Sequence, residues 1–449
     1  MISPVWLPVW CVIGLLFLFA CIIYSRPRWG IYAIAATLPS YLIRFTIFEI
    51  PTTVLEVSIL ILFFTWLANN GRWKKINLRF WQRNTANPIL SILKLPLTLL
   101  LATAFIAALL SPSQAAAFGI LKAYFIDPML FFVVFVYEIK NEKHIERVFY
   151  ALGILAVSIG CAAAWQYATG IGIANPTWAD PAYRRVTTIF GYPNAHGLLL
   201  GPIVALYMGY LFRKSDRRML AWKIIVIALG LTAIIAAKTT GALVGIGAAL
   251  WIFGSLQKKY RTTLLALTLL IVLGLTFTPA PERFSNVLSR ISDNTLDLAS
   301  SSLEIRANQW RETLAMLSDH PIRGGGLANY RQALEPYHAY EFLEIYLYPH
   351  TLILNFWSEI GIAGLLAIGW LLVSVGRLLL AANRSQQSSW LSASLILAWS
   401  VVLVHGLVDV PYFKNDLSVL WMLLVGLTVA ATNNRVQALP HTSDDAYHA

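Results

Sequence analysis

The chain is divided into apolar stretches close to the length that crosses a lipid bilayer, and this narrows what it can fold into. Such runs fall at about 6–24, 30–48, 52–68, 96–111, 120–138, 148–166, 195–212, 222–237, 240–255, 262–279, 351–379, 390–409 and 416–431. A hydrocarbon core is crossed by about 20 residues of helix. Inside it every backbone amide must be satisfied by the chain itself, which leaves helices or a closed barrel. The runs are continuous rather than alternating, which excludes the barrel. Composition agrees: 58% of the 449 residues are hydrophobic and only 12% are charged, against about 25% in a soluble domain. The expected fold is all-α, a polytopic transmembrane bundle of about 12–13 spans with a partly helical external loop.

The net charge of +12 belongs to short loops and does not indicate nucleic acid. Arg72, Lys74, Lys75, Arg79 and Arg83 form one basic cluster, and Lys140, Lys143 and Arg147 a second. Arg213, Lys214, Arg217, Arg218 and Lys223 form a third, and Lys258, Lys259 and Arg261 a fourth. Arg377 and Arg384 mark a fifth. Threading the spans alternately puts all five on one side, which the positive-inside rule makes cytoplasmic. Cys11, Cys21 and Cys161 lie inside apolar runs, with neither metal-ligand spacing nor a disulfide pattern. The first run lacks a basic leader and a cleavage site, so it reads as a membrane helix.

The expected organisation is N-terminal transmembrane helices over 1–279, an external loop over 280–350, C-terminal transmembrane helices over 351–431 and a cytoplasmic tail over 432–449. A smaller external loop covers about 168–194. The 280–350 segment carries nine acidic residues and six arginines but no lysine, unlike the cytoplasmic loops, and a loop of that length tends to be functional. Ser301 followed by Glu304 is a capping-box pattern that predicts a helix start. Leu303, Trp310, Leu314 and Leu317 recur at helical spacing. Pro321 and the run Gly324, Gly325 and Gly326 should end this amphipathic helix.

Chemistry is expected where polar groups gather on the external side. Arg184 and Arg185 precede a Gly191-Tyr192-Pro193-Asn194 turn, in which Asn194 is a plausible N-cap. A guanidinium is permanently charged and forks onto phosphate oxygens, although an arginine pair is equally a solvated or headgroup-anchoring pair. Arg306 lies on the amphipathic helix and Arg323 beside the three glycines. His350 follows Tyr348-Pro349 just before a span, and histidine is the residue type best suited to act as a general base near neutral pH. His320 and His338 compete for that part on composition alone. Lys122, Asp127, Lys238, Glu359, His405 and Asp409 lie in or near spans, where ionisable groups are costly and become functional candidates. Lys238 and Asp409 both reach the external end. No P-loop, dinucleotide fingerprint, zinc motif or paired-acid motif is present.

Six stretches in this order resemble the bacterial O-antigen ligase and O-antigen polymerase superfamily. They are Arg185 through Pro193-Asn194; Arg306-Ala307-Asn308-Gln309-Trp310; Asp319-His320-Pro321-Ile322 with Gly324-Gly325-Gly326; Tyr348-Pro349-His350; Ser358-Glu359-Ile360-Gly361-Ile362-Ala363-Gly364; and Asp409-Val410-Pro411. The resemblance implies a multi-pass glycosyltransferase of the bacterial inner membrane, acting on the periplasmic face without cofactor or metal. It would move a glycan from undecaprenyl pyrophosphate to a glycan or lipid acceptor, with membrane lipid around the polyprenyl tail. It further implies His350, Arg306 and Arg185 as catalytic residues, and Arg184, Arg323, Lys238, Asp409 and Asn194 as substrate-binding ones. The chain departs from the family in two places. Thr239-Thr240-Gly241 replaces a common Ser-Arg-Gly, with Lys238 adjacent, and Thr351 replaces the usual Asn after the histidine. The alternative reading is a polytopic transporter of bicarbonate or another small anion.

Overall fold

A computed structural model describes residues 9–47, 50–68, 88–266, 268, 289, 302–384 and 389–432. Arg72, Lys74, Lys75, Arg79 and Arg83, most of the 262–279 run, Ser301 of the capping box and the tail beyond 432 lie outside these residues.

Helices follow the apolar runs. They are α1 (Val9–Ser25), α2 (Pro27–Ala36), α3 (Val54–Ala68), α4 (Pro88–Leu110), α5 (Gln114–Glu138), α6 (Glu142–Thr169), α7 (Asn194–Tyr210), α8 (Arg217–Ala236), α9 (Thr240–Leu256), α10 (Ser302–Asp319), α11 (Leu352–Arg384), α12 (Ser389–His405) and α13 (Asn415–Thr432). Among the described residues six helices are long and apolar enough to cross a membrane: α4 from Ile89, α5, α6, α8, α11 and α13. A seventh is obtained if α9 and Lys258–Ala266, which meet at 108°, count as one span. Among the described residues the runs at 6–24, 52–68, 195–212 and 390–409 give the shorter helices α1, α3, α7 and α12. The run at 30–48 is not one span: α2 stops at Ala36, where Thr37-Leu38-Pro39 turns the chain into a 3₁₀ segment, Leu38–Leu42. A hairpin of β1 (Arg44–Ile47) and β2 (Ile50–Thr53) follows, in register Arg44↔Thr53.

The two ends of the bundle differ. At one end Arg213 pairs with Glu142 at 3.0 Å and also with Glu146, Trp390 Nε1 donates to Glu142, and Arg28 lies 3.8 Å from Glu138. This is the end of the second and third basic clusters. The opposite end gathers the 169–194 loop, the α8–α9 turn, the 405–415 turn and the 302–350 segment. Val186 N donates to the Ala236 carbonyl and Leu352 N to the Gly406 carbonyl at 2.7 Å.

Close helix packing rests on small residues in α7. Gly197, Gly201, Ala205 and Gly209 recur every fourth position, forming the stripe that lets membrane helices approach. A Cβ on Gly197 would lie 2.8 Å from Ala242 of α9, and one on Gly201 would lie 3.1 Å from Val401 of α12. One on Gly209 would run into the backbone of Ser394 in α12.

The 302–350 segment docks where α11 breaks. Ile360 and Gly361 leave helical geometry, Gly361 at φ 72°, a conformation a glycine adopts freely. The turn at 321–326 fills the gap. Gly325 and Gly326 N–H groups donate to the Ser358 carbonyl at 2.8 and 3.1 Å, and Ile362 N donates to the Ile322 carbonyl at 3.0 Å. Ala328 N donates to Glu359 Oε2 at 2.7 Å. The backbone groups freed by the break therefore find partners in the loop, as an interrupted membrane helix requires.

The buried face of α10 differs from the expected stripe. Leu317 is buried, but Leu303 and Leu314 are 38% and 48% exposed. Glu304, Asn308, Gln309, Glu312 and Thr313 are buried instead. Chain distant in sequence supplies partners for several of them: Tyr330 OH bonds Thr313 at 2.7 Å, and Glu312 accepts from Ala339 N at 3.1 Å.

Gly209→Ala is expected to lower stability by about 1–3 kcal/mol through overpacking. Gly376→Ala, a site in α11 with open space around it, should be neutral or stabilising by about 0.5–1 kcal/mol, because alanine favours helix. Tm of each purified variant in detergent tests this; equal Tm for Gly209→Ala and the parent would contradict the tight α7–α12 contact.

Candidate active site

Three separate segments converge on one carboxylate. Asp409 follows the end of α12 in a turn where its backbone N–H donates to the His405 carbonyl at 3.0 Å. Its side chain is 2% exposed. Oδ2 accepts from Asn194 Nδ2 at 3.0 Å and lies 3.7 Å from Arg306 Nη2. Oδ1 accepts from Val410 N at 2.9 Å and lies 3.4 Å from His350 Nδ1. Burial alone would raise the pKa of this carboxyl. The His350 hydrogen bond, with the His350, His405 and Arg306 charges, holds it below the ordinary value instead.

Asn194 extends the cluster. It is the first residue of α7 rather than its N-cap, a position taken by Pro193, and its amide acts as a bridge. While Nδ2 serves Asp409, Oδ1 accepts from Arg185 Nη2 at 3.4 Å. Arg185 also donates through Nε to the Ala237 carbonyl at 3.1 Å and lies over the Trp178 ring at 5.8 Å. Burial, and then the Arg306 charge, lower the Arg185 pKa, so the two guanidinium groups share one region of space.

The loop carrying Arg185 is stitched from below. Gln166 Oε1, near the end of α6, accepts from both Thr187 N and Thr188 N at 2.7 Å. Arg184 donates to the Tyr167 carbonyl at 2.6 Å and to the Ala168 and Ala179 carbonyls at 3.3 Å. Its guanidinium therefore ties the loop to the end of α6 and is not brought to Asp409.

His350 is placed by α10. Gln309 Nε2 donates to the Tyr348 carbonyl at 2.9 Å, and Trp310 Nε1 donates to the Pro349 carbonyl at 2.8 Å. His350 itself takes φ 49°, unusual for a side-chain-bearing residue. Tyr346 and Tyr348 meet its ring edge-on at 5.0 and 4.9 Å. With Nδ1 turned to Asp409, Nε2 has no hydrogen-bond partner among the described residues. That is the arrangement in which a carboxylate fixes an imidazole tautomer and leaves the other nitrogen free to accept a proton.

The other expected residues lie apart from this cluster or beside it. Lys238 is exposed at φ 52°, next to the Ala237 carbonyl that Arg185 uses. Arg323 is exposed on the turn that docks into α11. Glu359 is engaged by Ala328 N, and Lys122 pairs with Glu56 at 2.8 Å. His338 is structural in its contacts: Nδ1 lies 3.1 Å from Glu312 Oε2 and Nε2 lies 3.0 Å from the Leu343 carbonyl. Among the described residues no three or more His, Cys, Asp or Glu side chains are grouped to hold a metal ion. Sequence reasoning missed Gln166, Gln309 and Trp310 as positioning groups; only the Asn-Gln-Trp run after Arg306 hinted at the last two.

Residues 224–369 match a family model described as O-Antigen ligase. That interval contains Arg306, His350 and the break in α11, while Arg185, Asn194 and Asp409 lie outside it. No curated protein matches the chain.

Both ring nitrogens of His338 face acceptors, which only the imidazolium satisfies. Burial lowers its pKa, but the Glu312 and Leu343 contacts outweigh this and raise it. A raised histidine pKa gives stability that is complete below about pH 6.5 and is lost as pH climbs through the higher folded value. Protease cleavage within 338–350 should therefore increase as pH rises above about 6.5. His338→Gln should show a flatter profile, and identical profiles for the two proteins would discount the His338–Glu312 contact.

Proposed function

We propose, on the premise that a chain matching the O-antigen ligase family through residues 224–369 is a glycan-transferring membrane enzyme, that it moves a glycan from undecaprenyl pyrophosphate to an acceptor hydroxyl. The observation carrying this reading is the convergence of Arg185, Asn194, Arg306 and His350 on the buried Asp409. The basic loops at the far end of the bundle support an external, periplasmic position for the site. On that assignment 280–350 is the external loop and 432–449 the cytoplasmic tail.

The acceptor oxygen attacks the anomeric carbon of the donor sugar. As the new glycosidic bond forms, the bond from that carbon to the phosphate oxygen breaks, and its electron pair leaves with the pyrophosphate. Arg185 and Arg306 meet the charge that develops there; cations already in position in a water-poor site lower such a barrier by several kcal/mol. His350 Nε2 takes the acceptor's proton. Asp409 is a positioning residue: it holds the Nδ1–H tautomer and balances the imidazolium that forms. No metal is assigned a part, because the two arginines supply fixed positive charge. The pyrophosphate bond carries the driving energy, so no nucleotide is required.

Arg185→Ala and Arg306→Ala should each reduce transfer roughly 10²–10³-fold, and His350→Ala roughly 10²–10⁴-fold. Asp409→Asn should cost up to roughly 10⁴-fold, as loss of the carboxylate that fixes a catalytic histidine's tautomer does. The measurement is transfer of lipid-linked glycan in membranes at matched protein level, with the product ladder read on a gel. Accumulated undecaprenyl-linked glycan is expected in the variants. Wild-type transfer by all four would refute the assignment.

A further inference from the structure

Lys414 is a cation for which the chemistry above has no use. It ends the turn that begins at Asp409, where its N–H donates tightly to the Tyr412 carbonyl at 2.6 Å. Its Nζ lies 4.9 Å from the ring centre of Tyr41, 5.1 Å from Phe190 and 4.8 Å from Tyr192. It is half-buried and makes no ion pair among the described residues. A cation withdrawn from water without an anion is costly, and three aromatic faces offset part of that cost while leaving the charge available.

The box is built onto the site. Phe190 and Tyr192 belong to the same turn as Asn194, whose amide reaches Asp409 at 3.0 Å. The turn therefore presents rings to Lys414 and an amide to Asp409. Asp409 and Lys414 are the two ends of a short connection between α12 and α13.

We propose that Lys414 is a third cationic contact for the donor, gripping the phosphate that carries the lipid. The inference rests on the reading of Arg185, Arg306 and His350 given above. The sugar's anomeric carbon must sit at His350, so the phosphate bonded to it faces Arg306 and Arg185. The second phosphate then lies further from His350, and the cation proposed to meet it is the one at the other end of the Asp409–Lys414 connection, against Tyr192. An ammonium group suits this role, being a compact point charge with three donors that can hold one phosphate without the bidentate geometry arginine prefers. A competing role is long-range balance for Asp416, two residues on, which is buried with no hydrogen-bond partner for either side-chain oxygen among the described residues.

The test is binding of farnesyl pyrophosphate and farnesyl monophosphate to the purified full-length protein in nanodiscs, with wild type, Lys414→Met and Lys414→Arg compared. The wild type should prefer the pyrophosphate probe, whose second phosphate meets Arg185 and Arg306. Lys414→Met should bind both probes roughly tenfold more weakly, because each carries the lipid-bearing phosphate, and Lys414→Arg should keep most of the wild-type affinity. An unchanged Tm certifies the fold. A Lys414→Met protein that binds both probes as the wild type does overturns the proposal, as does weakening confined to the pyrophosphate probe. If Lys414→Met lowers Tm, adding Asp416→Asn decides: affinity that recovers with Tm would identify Lys414 as the counter-charge of Asp416 and overturn the proposal, and affinity that stays low supports it. A wild type that binds neither probe overturns the donor reading itself, and this inference falls with it.

Discussion

Asp409 is a carboxylate almost wholly out of water, and it stays ionised because positive and polar groups from elsewhere in the chain come to it. Without the His350 hydrogen bond and the neighbouring charges, burial would favour the protonated form. The converse also holds: Arg306 at 3.7 Å and the Asn194 amide at 3.0 Å are anchored by this one side chain. Arg185 reaches it through Asn194, so the two guanidinium groups are held in one region despite repelling each other. Two like charges kept together around a single acid leave net positive charge uncompensated, and an anionic substrate can use it.

The same need for partners governs the backbone. Spans buried in lipid must satisfy every N–H and C=O, so a broken helix is tolerable only where something enters the break. In α11 the 322–328 turn enters it. The loop that carries His350 and Arg306 is thereby fixed to the bundle at the Gly361 break, while Leu352 N bonds the Gly406 carbonyl beside the Asp409 turn. A loop that would be a mobile cover in another protein is stitched into the membrane frame. Its small core of Met316, Leu317, Tyr330 and Leu334 packs against Leu354 and Trp357 of α11.

Much of this is legible in the residues. The spans follow from continuous apolar runs, and the separation of basic loops from the Arg-, His- and Gly-rich segment anticipates the two unlike ends of the bundle. Arg185, Arg306, His350, Asn194 and Asp409 are all marked by their types and positions. The departures have identifiable causes. The apolar periodicity of α10 points to Leu303 and Leu314, yet its buried face is polar, because hydrogen-bond partners arrive from Tyr330 and Ala339, which no local pattern reveals. The 30–48 run has the composition of a span but turns after Ala36. Arg184 and Arg185 are indistinguishable as neighbours in sequence; one bonds the backbone at the end of α6 and the other reaches the Asp409 cluster.

The class of fold follows from the order of residues alone, because about twenty apolar residues in a row can do little in water and only a helix in lipid. The residue types available for chemistry, and their separation from the basic loops along the chain, are likewise legible in it. Which of them meet depends on how distant parts of the chain pack. Asn194 and Asp409 are 215 positions apart and His350 and Asp409 are 59 apart, and helix packing alone brings them within bonding distance. Periodicity reports the face on which a residue lies within its own helix, and it carries no information about what another helix presents to that face.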